Sequence, residues 1–281
     1  MSEQGFRLYR TDSGYVVKHN DRFYSAAQPS WDELITRDDL HSRIADVIRS
    51  APPSSKSLDD FKIRAPIAGQ EVWAAGVTYY RSRDARMEES KSAGGGDFYD
   101  RVYSAERPEL FFKATPNRVV GHGEKVAIRR DAKWSVPEPE LVLLISPAGK
   151  ILGYTIGNDM SSRDIEGENP LYLPQAKVYS RSCAIGPCIF VSAEPIPRST
   201  EIRMEILRGS STVFAGSVNL NAIRREFAIL VEFLYRDNAF PNGCFLFTGT
   251  GIVPPDSFTL QYADEIRITI EGIGTLINSV G

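Results

Sequence analysis

Short apolar runs rich in β-branched and aromatic residues, each ended by turn residues, set the pattern of this chain. Three of them, "FRLYR", "YVVKH" and "RFYSA", fall within residues 6–26 and are separated by turn signals such as Asp12-Ser13-Gly14. The pattern then changes period. Ser30 and Glu33 form a capping box ahead of "WDELITRDDLHSRIADVIRS", where Leu34, Leu40, Ile44 and Val47 suit one or two short helices. "APPSSKS", from Ala51 to Ser57, stops them and reads as a linker. This predicts a small N-terminal α+β domain at residues 1–60 and a larger domain at 61–281.

From Ile67 onward strands dominate: "EVWAAGV", "ELFFKA", "EKVAIR", "ELVLLIS", "KILGYTIG", "CAIGPCIFV", "IRMEILRG", "GCFLFTG" and "EIRITIEGIGTL". Their density predicts a mainly β fold with some α (α+β), a sandwich or rolled sheet rather than alternating βαβ units. One helix interrupts them, predicted from Ala222 to about Arg236, with Pro241-Asn242-Gly243 turning the chain afterwards. Gly94-Gly95-Gly96 lacks the Lys-Ser/Thr and helix that would follow in a phosphate loop. With the charged stretch "RSRDARMEESKSAGGGDFYDR" around it, it predicts a movable lid.

At 281 residues the chain has room for one large domain or about two ordinary ones. Its 42% hydrophobic and 25% charged content is that of a soluble globular protein. No run approaches the ~20 apolar residues that cross a bilayer. The polar start "MSEQGFRLYR" lacks the apolar segment of a signal peptide, so a cytoplasmic protein is expected. Cys183, Cys188 and Cys244 have neither CxxC spacing nor a neighbouring histidine, which argues against a disulfide framework or a zinc site. A net charge of -3 with the signs interspersed offers no basic stripe for nucleic acid, so the expected partner is a small molecule.

The chemistry concentrates in "WSVPEPELVLLIS". In a strand, side chains two apart share a face, so Glu138 and Glu140 point the same way, and Pro139 suits a strand start or an edge. "ELVLLIS", the turn-like "PAGK" and "ILGYTIGND" read as a hairpin. With Pro147–Lys150 as a four-residue loop, Ser146 faces Ile151 and Glu138 sits across from Asp159. A one-residue slip would send Asp159 to the other face. Three carboxylates this close must protonate or hold a cation, and an oxygen-only set favours magnesium, with manganese or calcium as alternatives. The competing view makes Glu138 and Glu140 solvated charges at a strand end and Asp159 a turn residue.

Glu-x-Glu, a hairpin, "GYTIGNDMSSRD" and a later "QAKVYSRSCAIGP" together resemble the fumarylacetoacetate hydrolase family, from about Trp73 to the "EGIGTLINSV" ending. "YDRVYSAERPELFFKATPNRVVGHGE" and "ENPLYLPQAKVY" are similar to the branch of that family that dehydrates 2-keto-3-deoxy sugar acids. The resemblance implies a rolled β-sandwich catalytic domain over 61–281 and a homodimer or homotetramer. It implies a divalent ion on Glu138, Glu140 and Asp159, and catalytic roles for Lys177 of the "AK" motif and Glu109 of "RPELFFK". Thr250 of "FTGTGIVP" falls in a substrate-contacting loop, and Ser82 and Lys113 are further candidate substrate contacts. Hydrolases of the family carry Asn-Tyr-x-x-His-x-x-Glu, whose His and Glu activate water. Here "TYYRSRDA" has Ser82 and Ala85 at those places, which argues against water-activated carbon–carbon cleavage. His19, His41 and His122 are expected in surface or structural roles.

The activity so implied is metal-dependent dehydration of a 2-keto-3-deoxypentonate, 2-keto-3-deoxy-D-arabinonate or a close stereoisomer, to 2,5-dioxopentanoate. Carbon 3 loses a proton to give an enolate that magnesium stabilises, the carbon-4 hydroxyl leaves, and tautomerisation gives the semialdehyde. Lys177, if burial brings its pKa towards neutrality, would share the proton transfers with Glu109. The alternatives are a charged Lys177 that pairs with substrate carboxylate or metal ligands, and a strand-end salt bridge for Glu109. Arg163 and Asp164 read as a structural ion pair beside the metal. The rival activities are acylpyruvate hydrolysis and oxaloacetate decarboxylation, and the rival class is a β-rich scaffold whose bound calcium only stabilises it.

Overall fold

A computed structural model describes residues 5–25, 30–79 and 102–281. Ser82, Ala85, the triglycine and the whole of the expected lid lie outside them. The backbone forms two large sheets and few helices, as the density of strand signals implied. In order of hydrogen-bonded neighbours, a ten-stranded sheet runs Arg22–Tyr24, Gly14–His19, Gly5–Thr11, Cys183–Ser192, Ile151–Asp159, Pro139–Ile145, Cys244–Phe247, Glu71–Gly76, Glu109–Ala114. Val119–Val120 joins it in parallel on Cys183–Ser192. A five-stranded sheet runs Ser211–Asn219, Glu201–Arg208, Glu265–Ile270, Gly274–Val280, Lys125–Val126.

Layering explains why "ELVLLIS" shows no polar alternation. Every residue of Pro139–Ile145 is buried, because the large sheet is covered on both faces. Leu141, Leu143 and Ile145 enter a core shared with Ile202, Met204 and Ile268 of the smaller sheet. Val142 and Leu144 enter a second core with Leu34, Leu40 and Ile44 of the N-terminal helices. Each such side chain, fully buried, stabilises the fold by about 1.5–3 kcal/mol. The helices are Trp31–Ile35, opened by the Ser30–Glu33 capping box, and Leu40–Ser50. The N-terminal strands continue the large sheet, Gly5–Thr11 pairing with Cys183–Ser192. Units at 1–60 and 61–281 remain a proposal from composition, with the sheet continuous across the boundary. No helix among the described residues is long and apolar enough to cross a membrane.

Three sequence expectations need correction. The helix placed from Ala222 starts only at Phe227 and ends at Tyr235. Ahead of it Ile223 bridges to Tyr79 and Arg224 N donates to Thr78 O at 3.1 Å, so these backbone groups serve another segment. "EKVAIR" is a strand only at Lys125–Val126. "EIRITIEGIGTL" is two strands, Glu265–Ile270 and Gly274–Val280, joined by a tight turn. The edge strand Ser211–Asn219 went unrecognised, since it is exposed or half-buried throughout and has no buried face to impose a pattern.

Candidate active site

The hairpin forms with a refinement in register. Ile151 pairs with Ile145 rather than Ser146, and an irregularity at Leu152 then shifts the ladder, so that Gly153 faces Leu144 and Gly157 faces Glu140. Asp159 N donates to Glu138 O at 2.9 Å, the juxtaposition expected from the sequence. Glu138, Glu140 and Asp159 are all buried, each offering a carboxylate oxygen within 4.8 Å of the others'. The competing view of solvated strand-end charges is therefore set aside.

Buried charges need partners. Lys177, fully buried at the end of helix Leu173–Lys177, sends Nζ to Glu138 Oε2 (2.5 Å), Asp159 Oδ2 (3.0 Å) and Ser161 Oγ (2.5 Å). Arg163 Nη2 donates to Glu138 Oε1 at 2.6 Å. It does not pair with Asp164 as expected; Asp164 accepts from Lys133 N at 2.7 Å. Glu140 Oε2 accepts from Gly249 N at 2.6 Å. Burial pushes the Glu140 carboxyl well above the usual range, and the charges of Asp159 and Glu138 push it further. Burial likewise raises the Cys183 thiol, and all three cysteines are free and buried.

One strand supplies three more groups by simple alternation. Glu109, Phe111 and Lys113 share a face of Glu109–Ala114. The Glu109 carboxyl lies on Gly76, where a Cβ would overlap it. The Phe111 ring is 5.8 Å from Lys177 Nζ. Lys113 has a different place from the substrate contact expected of it. Fully buried, it sits 2.5 Å from Asp159 Oδ1 and donates to Met160 O (3.1 Å) and Lys177 O (2.5 Å). It is thus committed to orienting the Asp159 carboxylate and the lysine's backbone.

A cavity of about 20 Å³ lies among these groups. Ala75, Gly76, Val77, Phe111, Glu138, Glu140, Asp159, Arg163, Lys177, Gly249 and Thr250 line it. That is room for about one water-sized occupant. Thr250 keeps its hydroxyl within its own loop, donating to Ile252 O and accepting from Ile252 N. None of the three histidines lines the cavity: His19 and His41 pack on Phe6, and His122 accepts from Ile277 N.

The donor set fits a magnesium ion: three carboxylates, no nitrogen or sulfur, and a buried anionic cluster that penalises its own ionisation. Lys113, Lys177 and Arg163 form ion pairs with Asp159 and Glu138, and Glu140 is held by the Gly249 amide. A divalent ion would leave a surplus of positive charge suited to an anionic substrate.

A family model described as fumarylacetoacetate (FAA) hydrolase C-terminal matches residues 77–281. The chain belongs to the fumarylacetoacetate hydrolase family. It is 46% identical over 243 residues to 2-dehydro-3-deoxy-D-arabinonate dehydratase of Saccharolobus solfataricus, covering 86% of this chain and 82% of that one. It is also 46% identical over 248 residues to a probable 2-keto-3-deoxyxylonate dehydratase of Haloferax volcanii, covering 88% and 84%. Among solved structures it is similar to 2-keto-3-deoxy-D-arabinonate dehydratase complexed with magnesium and 2,5-dioxopentanoate, with a TM-score of 0.81, 38% identity and 98% of both chains covered. The family resemblance read from the motifs thus extends to the dehydratases over most of the chain.

Arg163 is the site residue that the sequence reading underrated. It stands four positions beyond Asp159, where the chain enters helix Arg163–Glu168, and it lines the cavity instead of pairing locally. Gly249 is required by space, with φ +93 and a Cβ position that overlaps Thr78 Oγ1. Gly249→Ala is expected to displace the amide that holds Glu140 and weaken magnesium binding by about 10–100-fold, measured by calorimetry. Unchanged affinity would show that the amide does not orient the ligand.

Proposed function

We propose that this protein is a magnesium-dependent hydro-lyase that converts 2-keto-3-deoxypentonate to 2,5-dioxopentanoate. Its main support is one juxtaposition: Lys177 Nζ rests on two of the three carboxylates while Glu109 flanks the same cavity at Gly76, and no imidazole is present to activate water. The names of the relatives and the product bound in the magnesium-containing structure support the same reaction.

When bound on Glu138, Glu140 and Asp159, magnesium supplies a Lewis acid for the keto oxygen and for the charge that develops there. The chain's own residues account for the rest. Lys177 and Glu109 carry the proton transfers, removal at carbon 3 and delivery to the departing carbon-4 hydroxyl. Arg163, at the cavity wall, offers a guanidinium fork for the substrate carboxylate. Thr250 and Ser82 are proposed substrate contacts. Phe111, Val77 and Ala75 give the cavity an apolar wall that limits water near the enolate. A second enolisation, drawing a proton from carbon 5, turns the unsaturated product into the aldehyde, so water is the net loss and no co-substrate is needed.

Once carbon 2 is a ketone and carbon 3 a methylene, carbon 4 is the sole stereocentre. Arabinonate and xylonate of one series therefore give the same substrate, and we propose the D form. Turnover in D2O tests the enolate route. Product should carry deuterium at carbon 3 beyond the level that substrate and product reach without enzyme. Deuterium confined to carbon 4 would mean that elimination bypasses the enolate.

A further inference from the structure

The guanidinium of Arg225 gathers four backbone carbonyls from the segment that delivers Glu109. Nη2 donates to Val102 O (2.9 Å), Ala105 O (2.8 Å) and Arg107 O (3.5 Å), and Nη1 donates to Glu106 O (3.0 Å). The clamped run ends two residues before Glu109, the first residue of its strand. Every one of these acceptors is main chain, so the clamp fixes the path of the segment whatever its side chains. A guanidinium has five donors in a planar fork, a geometry that a lysine cannot reproduce. Burial lowers the pKa of Arg225, and Arg224 alongside lowers it further, so the charge is held here against its own preference.

The neighbours of Arg225 hold the stretch that follows Gly76 and begins with the cavity-lining Val77. Arg224 N donates to Thr78 O at 3.1 Å, its guanidinium lies 4.8 Å over the Tyr103 ring, and Ile223 bridges to Tyr79. Ile223 is buried, and its carbonyl accepts from Arg198 Nη2. The three residues thus tie the Val77–Tyr79 stretch to the approach of Glu109. Val77 needs such support, because it lines the cavity with φ +52, a conformation that a β-branched residue adopts only when its surroundings impose it.

We propose that Arg225 is a positioning residue for Glu109: by binding the carbonyls of 102–107 it fixes where strand Glu109–Ala114 begins, and so where the Glu109 carboxyl rests on Gly76. This deepens the reading above, because it depends on Glu109 taking part in proton transfer. The test is a double-mutant cycle on the full-length protein, with Arg225→Gln, Glu109→Gln and the pair, reading kcat, KM and the magnesium dissociation constant by calorimetry. Arg225→Gln should lower kcat by about 10–100-fold, the scale of a misplaced catalytic group. Magnesium affinity should stay within about twofold, and in the Glu109→Gln background the Arg225 substitution should change kcat by less than about twofold. Arg225→Lys, which keeps the charge without the fork, should fall between and serves for the cycle if Arg225→Gln does not fold. Equal losses in both backgrounds, or a parallel fall in magnesium affinity, would overturn the proposal. Wild-type kcat in Glu109→Gln alone would overturn the catalytic role of Glu109 and the positioning role with it.

Discussion

Lys177→Met is expected to lose about 10²–10⁴-fold in kcat while still binding magnesium. The side chain is fully buried and its ammonium touches Glu138, Asp159 and Ser161, so methionine fills the space but removes the mobile proton and the charge. The same change has a second, separable consequence. Without magnesium, Glu138 and Asp159 lose a buried counter-charge, and breaking such a pair costs about 3–5 kcal/mol. Magnesium replaces that charge, so the variant should melt well below wild type when metal-free and recover most of the gap when magnesium is added. Retained turnover within about tenfold of wild type would reduce Lys177 to a counter-ion.

Glu140→Gln should raise the melting temperature of the metal-free protein and abolish activity. The folded-state pKa of Glu140 lies above its ordinary value because of burial, with Asp159 and Glu138 adding to the effect. For a group raised in this way, stability is fully present below the unfolded pKa near 4.5 and is lost as pH rises towards the folded value. Metal-free wild-type protein at neutral and alkaline pH therefore carries a penalty that glutamine lacks. Glutamine can still accept the Gly249 amide. For a protein of this size each kcal/mol moves the midpoint by about 2–4 °C. Magnesium should stabilise wild type strongly and the variant little. Calorimetric melts from pH 5 to 8, with and without magnesium, decide it. A metal-free variant less stable than wild type would contradict the ionisation penalty on Glu140, and equal protection by magnesium would show that Glu140 is no ligand.

What the sequence made legible follows the strength of the physical constraints. Glu138 and Glu140 share a face because of the strand period, and Asp159 joins them because the hairpin pairing is pinned by a fully buried strand. The pairing survived an error in the turn, since the shift at Leu152 compensates for Ile145 rather than Ser146 meeting Ile151. Lys177 and Glu109 needed the family motifs, for neither stands near the carboxylates in the chain. Lys113 was misjudged because alternation along "ELFFKA" shows which face it shares with Glu109, but not how deep that face runs or that Asp159 lies behind it. Arg163 was underrated because a neighbouring Asp164 suggested a local pair, and burial of Glu138 decides otherwise. The helix boundary at Phe227 depends on tertiary bonds from Ile223 and Arg224, which no local pattern encodes.

The most direct test is to strip the purified protein with EDTA, supply 2-keto-3-deoxy-D-arabinonate with and without magnesium, and assay 2,5-dioxopentanoate. Semialdehyde formed only with magnesium is the predicted result. No semialdehyde under either condition, with pyruvate released instead from an acylpyruvate or oxaloacetate, would keep the metal site and contradict the dehydratase.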